Sequence, residues 1–252
     1  LDGDTGMNTL SDRSRRAMLG LLAAVPAAEA QALAKGPDDV FVISTLYARH
    51  KAVPAYDLRV LRQVIAAVKP EVMVLDVTPS ELRTRKVWPG KVEYIDVVFP
   101  YLDATGLRAY GSEPDEPLFR QLTGAVGEAY KAFGERNPAG AKALDDLKQA
   151  TYRAMATEWA GAADVNSEKT DRLVAALREI EEGLVGPEVA RVQKQWDRHH
   201  AERLRDAVRA HPGQRVLMLV GIESRYRVLE ELQSAGDVRP VASEAWLRRG
   251  GL

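Results

Sequence analysis

Apolar residues lie along this chain in two patterns: short unbroken runs, and stripes spaced three or four apart. The runs at 40–45 (VFVIST), 71–77 (containing VMVLDV), 107–110 and 215–220 are too short for core helices. They predict buried strands, and Gly36-Pro37-Asp38-Asp39 supplies the turn chemistry before the first. A weaker run, Val238–Val241, predicts a short last strand. After the first run Pro54 opens a helix, with Leu58, Leu61, Ile65 and Val68 on one face, which stops at Lys69-Pro70. Thr78-Pro79-Ser80 caps a short helical turn and Trp88-Pro89-Gly90 is a break. One further helix is expected over about 92–104, closed by Gly106.

The middle of the chain changes character. From about 117 to 210 there are four helical stripes and no strand: Phe119, Leu122, Val126 and Phe133; then Leu144, Leu147, Met155 and Trp159; then Leu173, Leu177, Ile180 and Leu184; then Val189, Val192, Trp196, Leu204 and Val208. Breaks fall at Asn137-Pro138-Ala139-Gly140, Gly161–Asn166 and Gly186-Pro187. Strands alternating with helices on either side of this block predict an α/β fold. Its mostly parallel sheet would have right-handed βαβ crossovers, with the helical insertion at about 117–210 capping the sheet. The fold would be one domain spanning 31–252.

The first thirty residues read differently. Ser14-Arg15-Arg16-Ala17-Met18-Leu19 sets paired arginines before a brief apolar run, and Ala28-Glu29-Ala30 offers a small-residue cleavage point. That combination predicts a signal segment over 1–30 of the twin-arginine type, and an exported, periplasmic or extracellular protein. No later stretch reaches the roughly 18 apolar residues of a membrane span, so no transmembrane segment is expected in the mature chain. The sequence contains no cysteine, which excludes a disulfide framework, a thiol nucleophile and cysteine-ligated metal sites. A formal charge of −1 gives no basis for a nucleic-acid partner.

In an open parallel sheet, ligands bind beyond the carboxyl ends of the strands. That rule selects Ser44, Thr45, Tyr47 and His50 after the first strand, Asp76 at the second and Gly111-Ser112-Glu113-Pro114-Asp115-Glu116 after the third. Gly221, Glu223, Ser224 and Arg225 follow the fourth. His50, Asp76 and Glu223 are the candidates for acid–base work, with Tyr47, Glu113, Ser224 and Arg225 as ligand contacts. His50, Asp76, Glu113 and Glu223 would supply the ligands if a divalent metal is the cofactor. Ser224 also reads as a helix cap, and His200, on the stripe of Trp196 and Leu204, reads as a core residue. No G-x-S-x-G, H-E-x-x-H, Walker or G-x-G-x-x-G motif occurs.

These positions carry a resemblance. The VIST-L-Y stretch, VMVLDV, Trp196-Asp-Arg-His-His-Ala-Glu-Arg and VLMLVGIES-RYRVLEEL together resemble the TraB/Tiki superfamily, which includes erythromycin esterases and haem-binding lipoproteins. The family's first strand ends in G-T-x-H and its last runs into a second G-x-x-H. Here Ser44 replaces the first glycine, Tyr47 and Ser224 replace the two histidines, and Asp76 stands where the family has Glu. The resemblance implies a hydrolase ancestry for esters or amides. The lost histidines imply a non-catalytic or strongly divergent small-molecule pocket, or a surface for a partner protein. The alternative is a metal-dependent or carboxylate- and His50-assisted hydrolase.

Overall fold

The computed structural model describes residues 39–252. Strands β1 (Val40–Thr45), β2 (Val72–Leu75), β3 (Arg108–Gly111) and β4 (Val216–Gly221) form one sheet, ordered β1-β4-β2-β3. Every neighbouring pair is parallel, with Val216 in register with both Val40 and Val72. The last strand in sequence is therefore central, and β1 and β2 flank it. Burial on both faces explains the unbroken apolar runs of β1, β2 and β4.

The two-residue period of the strands divides the core. Phe41, Ile43, Met73, Leu75, Leu217 and Leu219 face a large cluster that includes Leu61, Val64, Ile65 and Val68 of α1 (Leu58–Val68). Phe99 and Leu102 of α3 (Phe99–Thr105) join it, with Trp246 and Leu247 of α10 (Ser243–Arg249). Val40, Val42, Val72, Val74, Val216, Met218 and Val220 face the opposite way. They meet Ala201, Leu204 and Ala207 of α8 (Pro187–Ala210), and Val228 and Leu232 of α9 (Ile222–Ala235). The result is an α/β fold with helices over both faces of the sheet. α2 (Pro79–Thr84) starts in a full capping box, Thr78 accepting from the Glu81 N–H and Glu81 accepting from the Thr78 N–H.

The helical block comprises α4 (Leu118–Arg136), α5 (Pro138–Glu158), a single turn α6 (Ala162–Val165), α7 (Glu168–Val185) and α8. Its breaks fall at the Pro/Gly/Asn clusters, with Asn137 and Ser167 accepting first-turn N–H bonds. Three details depart from the sequence reading. Val238–Val241 contributes only an isolated bridge, Val40 to Pro240, because a one-bond edge contact does not extend into a ladder. The helix expected over 92–104 contains a π-helical turn, Tyr94–Val98, before α3 begins. Leu147, Leu173, Ile180 and Leu184 are exposed, because α5 and α7 turn other residues to the core. The expected signal segment lies outside the described residues. Among those described, no helix is long and apolar enough to cross a membrane.

Candidate functional site

Three neighbouring strands end at one point. Tyr47 follows β1, Gly221 closes β4 and Asp76 follows β2. The Tyr47 hydroxyl donates to Asp76 Oδ2 at 2.5 Å, and the Gly221 N–H donates to the same oxygen at 3.0 Å. Tyr47 reaches this position from a left-handed backbone, φ +53°, as the chain leaves the strand for a 3₁₀ turn. For a non-glycine residue this costs on the order of 1 kcal/mol. Gly221 begins α9, so Asp76 places its carboxylate at the amino end of that helix. A helix start after a parallel strand ordinarily seats an anion; here the protein's own carboxylate takes that place.

Asp76 is 2% exposed and strongly held. Its N–H donates to the Tyr94 hydroxyl and the Leu219 carbonyl. Its own carbonyl accepts from Lys91 Nζ at 2.6 Å, and the same ammonium pairs with Glu113 Oε1 at 2.6 Å. Burial alone would raise the Asp76 pKa; Lys91, then His200, Tyr47 and the Gly221 N–H outweigh it and hold the carboxyl below its usual value. At neutral pH the effective cation is Lys91, since burial drives the His200 pKa down to about 4. Burial and then the Asp76 charge push Glu113 up, against the pull of Lys91. One ammonium thus serves two carboxyls, with Asp76 keeping its charge and Glu113 the member that takes a proton.

His200 Nε2 lies 3.4 Å from Asp76 Oδ1, without hydrogen-bond geometry, and its Nδ1 is 2.8 Å from Ser112 Oγ. The Ser112 hydroxyl donates to the Leu75 carbonyl at 2.9 Å, so its oxygen is the acceptor left for His200 Nδ1.

Above these groups is a cavity of about 270 Å³. Tyr47, Asp76, Glu113, Glu223 and Ser224 line it from the strand ends; the insertion adds Leu122, Thr123 and Val126 of α4, Arg178 of α7, and Val192, Gln193 and Trp196 of α8. Larger grooves of about 570 and 500 Å³ lie along the outside of α8, among long surface side chains such as Arg191, Lys194 and Arg203. The strand-end candidates Glu113 and Asp115 border the second of them. Glu223 Oε1 accepts from the Tyr152 hydroxyl at 2.9 Å, and the Arg49 guanidinium covers the Tyr152 ring at 3.9 Å. Arg178 is 5% exposed and donates from Nη1 to Glu181 Oε2 at 3.0 Å, while its Nε has no partner. Glu181 in turn accepts from Lys148 at 2.5 Å and from the Tyr130 hydroxyl.

Two sequence candidates do not reach the cavity. His50 is buried in its own turn: Nε2 accepts from the Leu46 N–H at 3.0 Å and Nδ1 faces the Tyr56 carbonyl at 2.7 Å. Both nitrogens are used, and burial lowers the pKa to about 4, so this ring pins the loop and does not serve as a base at the cavity. Arg225 ion-pairs with Asp171 and donates to the Val42 carbonyl at 3.2 Å, tying α9 to α7 and β1. His50, Asp76, Glu113 and Glu223 accordingly do not form a ligand set. Among the described residues no group of three or more His, Asp or Glu side chains is placed to hold a metal. The strand-end rule does not select Lys91, Arg178 or Tyr152. His200 was read as core, and it is buried, but against Asp76.

Asp197, next to Trp196 in sequence, is 1% exposed, and neither carboxylate oxygen has a hydrogen-bond partner. Burial outweighs Ser224, Arg178 and Arg227 and raises its pKa to about 7. The folded protein then holds a proton that the unfolded chain has released, so this stabilisation is full below about pH 4 and lost as pH rises toward 7. The gain in stability from Asp197→Asn should therefore be larger at pH 8 than at pH 5 by about 1–3 kcal/mol. His50 and His200 act oppositely, losing stability as pH falls from 6.5 toward 4, so the variant-minus-parent difference isolates Asp197. Urea unfolding at both pH values measures it, and equal differences would mean that Asp197 is ionised throughout.

The arrangement joins an ionised, hydrogen-bonded carboxylate to a recess with an apolar wall and charges of both signs. Comparison of the chain with protein-family models, curated proteins and solved structures finds no match.

Proposed function

We propose that the recess at the carboxyl edge of the sheet is a binding pocket for a small molecule, in an exported protein whose site has diverged from a TraB/Tiki-like hydrolase. The observation that carries this reading is the convergence on one cavity of about 270 Å³ of residues from separate strand ends and from three helices of the insertion. That volume suits a ligand of amino-acid to small-drug size. Leu122, Val126, Val192 and Trp196 offer it an apolar wall, and the carboxylates and Arg178 offer orientation. Thermal-shift and calorimetric screening of a small-molecule library against the parent and a Val126→Trp variant tests the reading. Half-buried Val126 lines the cavity, and the larger ring fills it. Binders should be found for the parent and lost in the variant; binders indifferent to the variant, or none, would refute the pocket.

One observation favours a second reading, hydrolysis of an ester or amide. Asp76 faces both the cavity and His200, whose far nitrogen meets Ser112. In that reading Asp76 draws a proton from water while His200 and Ser112 hold its charge and orientation. Ser112 is fully buried and does not line the cavity, so it orients and does not attack substrate. Turnover of an ester or amide binder by the parent, abolished in Asp76→Asn, would support this chemistry. Binding without turnover supports the pocket alone.

A further inference from the structure

The cavity contains two opposite charges that do not satisfy each other. Arg178 and Glu223 both line it, and among the charges around Arg178, Glu223 contributes most to holding its guanidinium protonated against the cost of burial. Yet the ion pair of Arg178 is made to Glu181, and Glu223 takes its hydrogen bond from Tyr152. The Nε of Arg178 is left without an acceptor in a side chain that is more than nine-tenths buried. An unpartnered buried donor of this kind costs about 1–3 kcal/mol, more when charged, and is a place where a ligand acceptor is missing. Tyr152 leaves the second oxygen of Glu223 for a donor. Around the pair, Leu122, Val126, Val192 and the half-buried Trp196 make an apolar wall.

A neutral apolar compound would leave both charges unmet, and a simple anion would be repelled by Asp76 and Glu223. A simple cation would leave Arg178 unmet. Resting on the pocket reading above, we infer that the ligand is a small zwitterion with an apolar body, of the α-amino-acid type. Its carboxylate meets Arg178, its ammonium meets Glu223, and its side chain lies against Trp196 and the α4–α8 wall. The position of Asp76 supports this choice, because it occupies the helix start that would otherwise compete for the ligand's carboxylate. Arg178 is then the anion site that remains, and it is displaced toward the insertion. No metal is needed to reconcile the charges, since the ligand brings one of each sign.

The experiment uses leucine, leucinamide and N-acetyl-leucine, which share a side chain and differ in one charge each. Titration calorimetry on the full chain should show leucine binding about tenfold or more tighter than either analogue, the worth of one charge-assisted hydrogen bond. Glu223→Gln keeps an acceptor for Tyr152 and removes the charge. It should weaken leucine about tenfold and erase the difference between leucine and N-acetyl-leucine. Circular dichroism of that variant confirms the fold, which does not depend on Arg178 being altered. If either singly charged analogue binds as tightly as leucine, and Val126→Trp blocks it, the zwitterion inference is overturned while the pocket stands. If these probes and the library alike fail to bind, both fall.

Discussion

Gly221→Ala is expected to destabilise the protein by about 2–3 kcal/mol, the upper range for overpacking a tight contact, and to abolish ligand binding. The backbone does not forbid the change, since Gly221 has φ −55°, which any residue adopts. Space forbids it. A Cβ there would stand 2.0 Å from the Tyr47 hydroxyl oxygen and 2.7 and 2.9 Å from ring carbons. The ring cannot retreat without leaving Asp76, so one added methyl breaks the phenol–carboxylate bond that closes the site. A double-mutant cycle isolates the cause. In a Tyr47→Gly background, which also suits the left-handed backbone at 47, the same methyl should cost less than about 1 kcal/mol. Equal costs in the two backgrounds, by urea unfolding, would show that the ring is not what the glycine accommodates.

Lys91→Met should be costlier still, about 3–5 kcal/mol at pH 8, because it strands buried carboxyls without their cation. Lys91 is 8% exposed and Glu113 7%, so water does little to screen the loss. The cost should depend on pH, with a sign that follows from the charges. Glu113 already holds its proton in the parent at both pH values, so the added dependence comes from Asp76: without Lys91 burial raises its pKa, and the folded variant holds a proton that the unfolded chain loses above about pH 4. Stability of the variant then falls as pH rises, and the deficit at pH 5 is the smaller one. Lys91→Met combined with Asp76→Asn, which keeps an acceptor for Tyr47 and Gly221, should recover part of the loss and flatten the slope. A deficit independent of pH, or no recovery in the double variant, would show that packing of the lysine stem and not its charge matters here.

Much of the scaffold is legible in the sequence for a physical reason. Strands buried on both faces read as unbroken apolar runs, and Pro, Gly and Asn clusters mark where helices stop. α7 shows where that legibility ends. It carries two stripes at helical spacing, Leu173, Ile180 and Leu184 on one side and Val174, Leu177 and Val185 on the other. Spacing says that residues share a face; it does not say which face meets the core, and the inner one also carries Arg178 and Glu181. Arg178 on its helix and Lys91 in the turn after Trp88-Pro89-Gly90 both look solvated in sequence, which is why neither gives a signal. The strand-end rule selects Tyr47, Asp76, Glu113, Glu223 and Ser224, which line one cavity. It also selects His50, since position after a strand does not reveal that a turn has consumed both ring nitrogens.

The central strand is the last to be made. β4 pairs with both β1 and β2, and beside those ladders Arg215 ion-pairs with Asp39 across 176 positions and donates its N–H to Glu71 Oε2 across 144. At about 5–20 residues per second, the ribosome needs roughly 7–30 s between finishing β2 and supplying β4. Throughout that interval two apolar strands wait with their inner edges unpaired, the condition that invites association with other chains. A chain shortened before β4 is not a smaller version of this domain but a sheet with its middle missing. The aggregation hazard of this fold thus belongs to its synthesis, and it ends when β4 takes its place between β1 and β2.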